Sequence, residues 1–197
     1  MKVKKIVFAT SNPNKLKEIK AAIKNFGIVG LKDLGITEKI PEAGTTLKEN
    51  ALLKAKYVYN KTGLNCFADD TGLEIKFLNN RPGIYSARYA GPYCNSEDNI
   101  KKVLRELVAS KNRKACFKTV IALILQKEEY YFEGKVEGEI LKKKTGFGGF
   151  GYDPIFRPNG YKQTFAQMPL SLKNKISHRG LAVKKLVDFL NQAKSGL

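Results

Sequence analysis

GFGGFGYDPIF, residues 146–156, decides which kind of α/β fold the 197-residue chain adopts. Gly146, Gly148 and Gly151 satisfy G-x-G-x-x-G, the pattern of dinucleotide-binding folds. Such a fold needs a strand before the glycines, a helix straight after them and an acidic residue about twenty positions on for the ribose. Here Tyr152, Asp153 and Pro154 follow the last glycine, Pro154 blocks a helix, and no acidic residue occurs from Pro154 to Ala182. The dinucleotide reading therefore fails. Two readings stay open: backbone approaching a flat ligand with Phe147 or Phe150 stacked on it, or a Gly-rich connection carrying core aromatics.

Outward from this loop, helical and strand patterns alternate. KKIVFAT reads as a strand ending in the polar turn SNPN, followed by a helix with Leu16, Ile19, Ile23 and Phe26 on one face and Gly27 as its stop. TTLKENALLKAKYVYNKTG predicts a second helix, with a capping box at Thr46 and Glu49, a stripe of Leu47, Ala51, Ala55 and Val58, and Gly63 at its end. LNCFADDTGLEIKFL reads as strand, acidic turn, strand. Ser96 is the expected cap of a third helix carrying Ile100, Val103, Leu104 and Leu107. KACFKTVIALIL and EYYFEGKVEGEIL, separated by QKE, predict a hairpin, and a last helix capped by Ser177 carries Leu181, Leu186, Val187 and Leu190. There is no internal repeat or composition break. The expectation is one α/β domain over residues 1–197: a mixed twisted sheet with flanking helices, in two lobes enclosing a substrate cleft.

Composition bounds the function. Hydrophobic residues make up 43% and charged residues 27%, which suits a globular chain and argues against disorder. The apolar run near the start, Ile6 to Ala9, is too short for a signal-peptide core, and the longest run, Val120 to Leu125, is far below membrane-spanning length. A cytoplasmic protein is expected. Three cysteines, Cys66, Cys94 and Cys116, form no C-x-x-C pair and read as reduced. The net charge of +18 fits nucleic acid, an anionic surface or a polyanionic small substrate, but the lysines are scattered and also read as a solvated surface.

Three further stretches carry chemistry. In TSNPNK, Ser11 or Asn12 caps the helix, Pro13 suits its first position, and Lys15 lies one turn inside, so N–H groups and a lysine offer an anion site. In FADDTGL, two adjacent carboxylates raise each other's pKa or are held ionised by a divalent cation, and either state suits metal-assisted activation of water. The plainer reading is an Asp/Gly turn. In SHRG, His178, the one histidine of the sequence, stands beside Arg179, and together they offer donors for a carbonyl or phosphate.

Taken in order, TSNPNK, PEAGTTLKENA, FADDTGL, PGIYSARYAG, GFGGFGYDPIF and SLKNKISHRG resemble the inosine/xanthosine triphosphate pyrophosphatase family from about Val7 to Leu190. The resemblance implies a Mg²⁺-dependent homodimer that hydrolyses non-standard purine nucleoside triphosphates, including ITP, dITP and XTP, to the monophosphate and pyrophosphate. By motif position, it implies that Thr10, Ser11, Asn12, Pro13, Asn14 and Lys15 bind the triphosphate. Asp70 is then the general base and a metal ligand, with Asp69 beside it and Thr71 touching substrate. Phe150, Gly151, Tyr152 and Asp153 form the base pocket, with Phe150 stacking on the purine, and Lys173 meets phosphate or base. His178 and Arg179 read the 6-oxo group. Family members often carry two consecutive acids where this chain has Pro41-Glu42, which leaves Glu42 as the second expected metal ligand.

Adenine presents a 6-amino donor where hypoxanthine and xanthine present an acceptor. Donors left unpaired against ATP cost roughly 1–3 kcal/mol each, about ten- to a hundredfold in rejection per group. Two other functions remain in view: a pyrophosphatase for modified pyrimidine nucleotides, and a basic nucleic-acid-binding module. Neither nucleic acid nor a membrane is required by the first reading.

Overall fold

The structure, a computed structural model, describes residues 5–38 and 40–195. The opening apolar run forms β1 (Lys5–Phe8), and the polar turn leads into α1 (Pro13–Ala22). Asn12, not Ser11, is the cap: its Oδ1 accepts from the N–H of Asn14 at 2.9 Å and of Lys15 at 3.2 Å. Pro13 takes the first helical position, where a missing N–H costs nothing. The helix ends earlier than expected. Its backbone turns extended at Ile23, and Gly27 opens β2 (Gly27–Gly30), so Phe26 joins the core from a connecting segment. In α2 (Leu47–Thr62), Thr46 Oγ1 accepts from the Glu49 N–H at 3.1 Å and Gly63 is left-handed, as predicted. The Glu49 carboxylate takes its hydrogen bonds from the N–H and Oγ1 of Thr45, with the Thr46 N–H contributing more weakly, so the expected box is incomplete.

FADDTGL departs furthest from expectation. Cys66–Ile75 is one uninterrupted strand, β3, with no turn at the acidic pair. The glycine that suggested a bend has another purpose. β4 (Pro82–Gly83) pairs antiparallel with β3 at Leu73↔Gly83, and a Cβ on Gly72 would lie 2.8 Å from the Gly83 carbonyl oxygen. Glycine is needed there for close strand approach.

Farther on, α3 (Ser96–Glu106) is capped by Asn95, whose side chain accepts from Glu97 and Asp98, so Ser96 is the first helical residue instead of the cap. The hairpin forms as β5 (Lys114–Leu125) and β6 (Glu128–Ile140). Gln126 and Lys127 link them with φ of 53° and 74°, the positive values that a two-residue link matching the strand twist demands. After β7 (Phe156–Pro158) comes α4 (Leu170–Ile176), which the sequence pattern did not announce, and then α5 (His178–Ser195) directly after the extended Ser177. Cys66 and Cys116 lie buried in strands and all three thiols are free. The strand order is β2-β1-β3-β5-β6-β7 with β4 beside β3, and both parallel and antiparallel pairs occur, so the sheet is mixed as expected. No described helix is long and apolar enough to cross a membrane.

The chain divides into two compact units. The first comprises Met1–Asp70, Thr119–Gly134 and Arg179–Leu197, and the second Thr71–Lys118 and Lys135–His178. In the first, strand alternation sorts side chains between two cores. Ile6, Phe8, Phe67, Ile121 and Leu123 pack with Ile19 of α1 and Leu186 of α5. Val7, Ala9, Cys66, Ala68, Ala122 and Ile124 pack with Ala51, Ala55 and Val58 of α2. The second unit has its own core, in which Leu73, Ile75, Ile100, Val103, Phe117, Phe156 and Phe165 are buried.

Candidate active site

Because Asp69 and Asp70 are neighbours on a strand, their side chains go to opposite faces. Asp69 follows Phe67 toward α1 and α5. Its Oδ1 accepts from Lys15 Nζ at 3.0 Å and its Oδ2 from Arg179 Nε at 2.9 Å, while Arg179 Nη1 donates to Glu18 Oε2 at 2.6 Å. Glu18, Asp69 and Arg179 are buried, and the four charges alternate and sum to zero. Burial opposes ionisation of Asp69, yet Lys15 and Arg179 outweigh it and hold the carboxyl well below the usual carboxylate range. The same burial pulls the Lys15 ammonium down, against Asp69.

Asp70 follows Ala68 toward α2, where its Oδ1 lies 3.3 Å from Lys54 Nζ. Lys54 Nζ also donates to Glu42 Oε1 at 2.7 Å. A bond from the Gly44 N–H to Asn50 Oδ1, 2.9 Å, ties the loop carrying Glu42 to the start of α2. Asp70 Oδ2 is buried and has no hydrogen-bond partner among the described residues. Burial pushes the Asp70 carboxyl up although Lys54 pulls it down, whereas Lys54 is raised because Asp70 and Glu42 outweigh its own burial. Of the expected mutual raising, Asp70 shows its half, mainly through burial with Asp69 a small contributor, whereas Asp69 is held down by its cations. The strand separates them, so that one is locked ionised among cations and the other is a stronger base with an oxygen to offer.

That oxygen gives a test of fit for a divalent cation. No group of three or more His, Cys, Asp or Glu is assembled for a metal among the described residues. Mg²⁺ does not require one, since it commonly takes one or two carboxylates and completes its shell with water and substrate phosphate. Asp70, with Glu42 joined to it through Lys54, fits that mode and not a closed zinc site.

In the second unit the glycine loop encloses a carboxylate of the chain itself. Asp153 Oδ2 accepts from the Phe150 N–H at 2.8 Å and from Lys173 Nζ at 2.5 Å. A Cβ on Gly149, where φ is +71°, would fall 2.1 Å from that oxygen. No α-helix follows, only a short 3₁₀ turn over Asp153–Ile155 before β7. Phe150 is half-buried with Lys173 Nζ 5.0 Å from its ring centroid, Phe147 is fully exposed, and Tyr152 donates to the Ser86 carbonyl at 2.9 Å. His178 is buried and stacks on Phe117, ring centroids 4.4 Å apart.

The expected site residues therefore gather in two groups. Lys15, Asp69, Asp70 and Arg179 belong with Glu42 to the first unit, where Thr10 and Asn12 bond each other through the Asn12 N–H at 3.2 Å and Ser11, Pro13 and Asn14 are exposed. Thr71, Phe150, Gly151, Tyr152, Asp153, Lys173 and His178 belong to the second. Sequence reading missed Glu18 and Lys54. Lys54 carried a signal, a charged residue three positions after Ala51 and four before Val58 on the stripe read as core, whereas Glu18 lies off the Leu16, Ile19 and Ile23 stripe and carried none.

Comparison with known proteins adds an independent line. The model of the Ham1 family matches residues 6–189. The dITP/XTP pyrophosphatase of Flavobacterium johnsoniae is 51% identical over 191 residues, covering 96% of this chain and all of that one. That of Christiangramia forsetii is 53% identical over 189 residues, covering 95% and all. The Ham1 protein of Staphylococcus aureus superposes with a TM-score of 0.87 at 39% identity, covering 96% of this chain and all of the other.

Proposed function

The chain belongs to the Ham1 family, and from that premise we infer that it hydrolyses non-standard purine nucleoside triphosphates (ITP, dITP and XTP) to the nucleoside monophosphate and pyrophosphate. The observation that carries the catalytic part is Asp70, a buried carboxylate with raised proton affinity and one oxygen unengaged among the described residues. In this reading Asp70 takes the proton of the water that attacks the α-phosphate and, with Glu42, holds Mg²⁺. When bound, Mg²⁺ supplies charge neutralisation at the phosphates. Residues 10–15 receive the triphosphate at the start of α1, with Lys15 held in place by Asp69. Thr71 touches substrate, Phe150 stacks on the purine, Gly151 and Tyr152 shape its pocket, and Asp153 fixes Phe150 through its backbone N–H. Lys173 meets phosphate or base. His178 reads the 6-oxo group. Arg179, assigned the same oxygen from sequence, has its Nε and Nη1 on carboxylates, which supports a role through Asp69. From the family resemblance we carry over a homodimer acting in the cytoplasm.

A nucleotide panel tests this reading. Pyrophosphate release is expected from ITP, dITP and XTP with Mg²⁺, with ATP and modified pyrimidine nucleotides far slower, and equal turnover of ATP would overturn the purine assignment. In the same panel, His178→Ala is expected to narrow the ITP-to-ATP ratio of kcat/KM by about tenfold or more, because a donor that favours an acceptor at position 6 is lost. An unchanged ratio assigns discrimination elsewhere.

A further inference from the structure

Lys54 is the cation that the sequence reading did not foresee, and its position constrains how a metal enters. Its side chain is 10% exposed, and its Nζ lies 2.7 Å from Glu42 Oε1 and 3.3 Å from Asp70 Oδ1, touching both carboxylates assigned to the metal. Its four-carbon stem rises from the middle of α2, so the ammonium is a mobile charge on a fixed base. A divalent ion bound to the same two carboxylates would place three positive charges against two negative ones. Like charges that close cost at least about tenfold in affinity even where the protein screens strongly.

We propose that Lys54 is a resident counter-cation, which holds Glu42 and Asp70 in place while no metal is bound and yields its position to the divalent ion. The proposal rests on the pyrophosphatase reading above and adds to it an exchange of one cation for another. Two carboxylates held near one another without a counter-charge repel and resist burial. Lys54 relieves both costs before metal arrives, and the metal relieves them afterwards. Removing Lys54 should then have opposite consequences for the two states. The metal-free protein loses its counter-charge, and the metal loses a competitor. A Lys54 that is merely structural would weaken both.

The test is a Mg²⁺ titration of wild type and Lys54→Met at low salt without nucleotide, read by calorimetry and by the thermal midpoint. In chelator, Lys54→Met is expected to melt below wild type. At saturating Mg²⁺ the difference should close, and the variant should bind Mg²⁺ at least about tenfold more tightly. Equal or weaker Mg²⁺ binding by the variant, or a melting deficit that Mg²⁺ leaves untouched, overturns the proposal. Should Lys54→Met fail to fold in chelator, refolding on Mg²⁺ addition supports the exchange, and failure to refold refutes it. Wild-type hydrolysis of dITP in chelator separates the two levels. Metal-independent turnover sinks the metal-assisted reading and the exchange with it, whereas a metal-dependent wild type beside an unchanged Lys54→Met affinity sinks the exchange alone.

Discussion

Asp70→Asn is expected to lower kcat by at least about a thousandfold while leaving the fold and much of the nucleotide affinity intact. The amide keeps the shape of the carboxylate, and its oxygen can still accept from Lys54, which lies 3.3 Å from Asp70 Oδ1. What changes is the other oxygen. Asp70 Oδ2, buried and without a hydrogen-bond partner among the described residues, becomes an NH₂ group that neither accepts a proton from water nor ligates a hard cation. General-base catalysis is worth about 10² to 10⁴ in rate, and weakened metal-assisted stabilisation adds to the loss. Steady-state kinetics with dITP, alongside circular dichroism, reads both halves of the expectation. A variant that keeps more than about a tenth of wild-type kcat makes Asp70 structural. Glu42 would then be the next candidate, since both oxygens of Asp69 are bonded to cations.

Arg179→Met is expected to lower stability by about 3–5 kcal/mol, the range for removing one partner from a buried ion pair. Arg179 stands between Glu18 and Asp69, and deleting it strips both buried carboxylates of that cation while Lys15 remains 3.0 Å from Asp69. Against a typical total of about 5–15 kcal/mol, the loss is a large share. Acid dependence provides a second readout. Asp69 is depressed in the folded protein, so its stabilising contribution is present above the unfolded carboxyl value of about 3.9 and fades as pH falls below that toward the folded value. Arg179→Met should flatten that acid limb. Urea unfolding between neutral and acid pH checks both, and a loss under about 1 kcal/mol, the worth of an exposed pair, would show that the cluster behaves as a surface ion pair.

Local rules carried much of the fold. Pro13 with Asn12, Thr46 with Gly63, and the Gln126–Lys127 link are decided within a few residues, and the sequence pattern located each of them. FADDTGL was misread because Asp and Gly favour turns locally, whereas Gly72 answers to β4 and the two acids answer to Lys15, Lys54 and Arg179. Arg179 lies 110 positions from Asp69, a pairing that no window of sequence discloses. The helix stop at Gly27 failed for a similar reason: Phe26 continues the apolar spacing of α1 yet reaches the same core from outside the helix. Ser96 lost its expected role to Asn95 because adjacent cap residues compete for the same N–H groups. Lys54 was readable as a charge on an apolar helix face, but its partners were not, and Glu18, off the apolar stripe of its helix, gave no local sign of its burial.

The central claim is that water attacks the α-phosphate of a non-standard purine nucleoside triphosphate, activated by Asp70. The most direct measurement is hydrolysis of dITP in ¹⁸O-labelled water, with the products separated and weighed by mass spectrometry. The label is expected in deoxyinosine monophosphate, with unlabelled pyrophosphate formed one for one. Label in pyrophosphate, or release of orthophosphate as the direct product, would contradict the account.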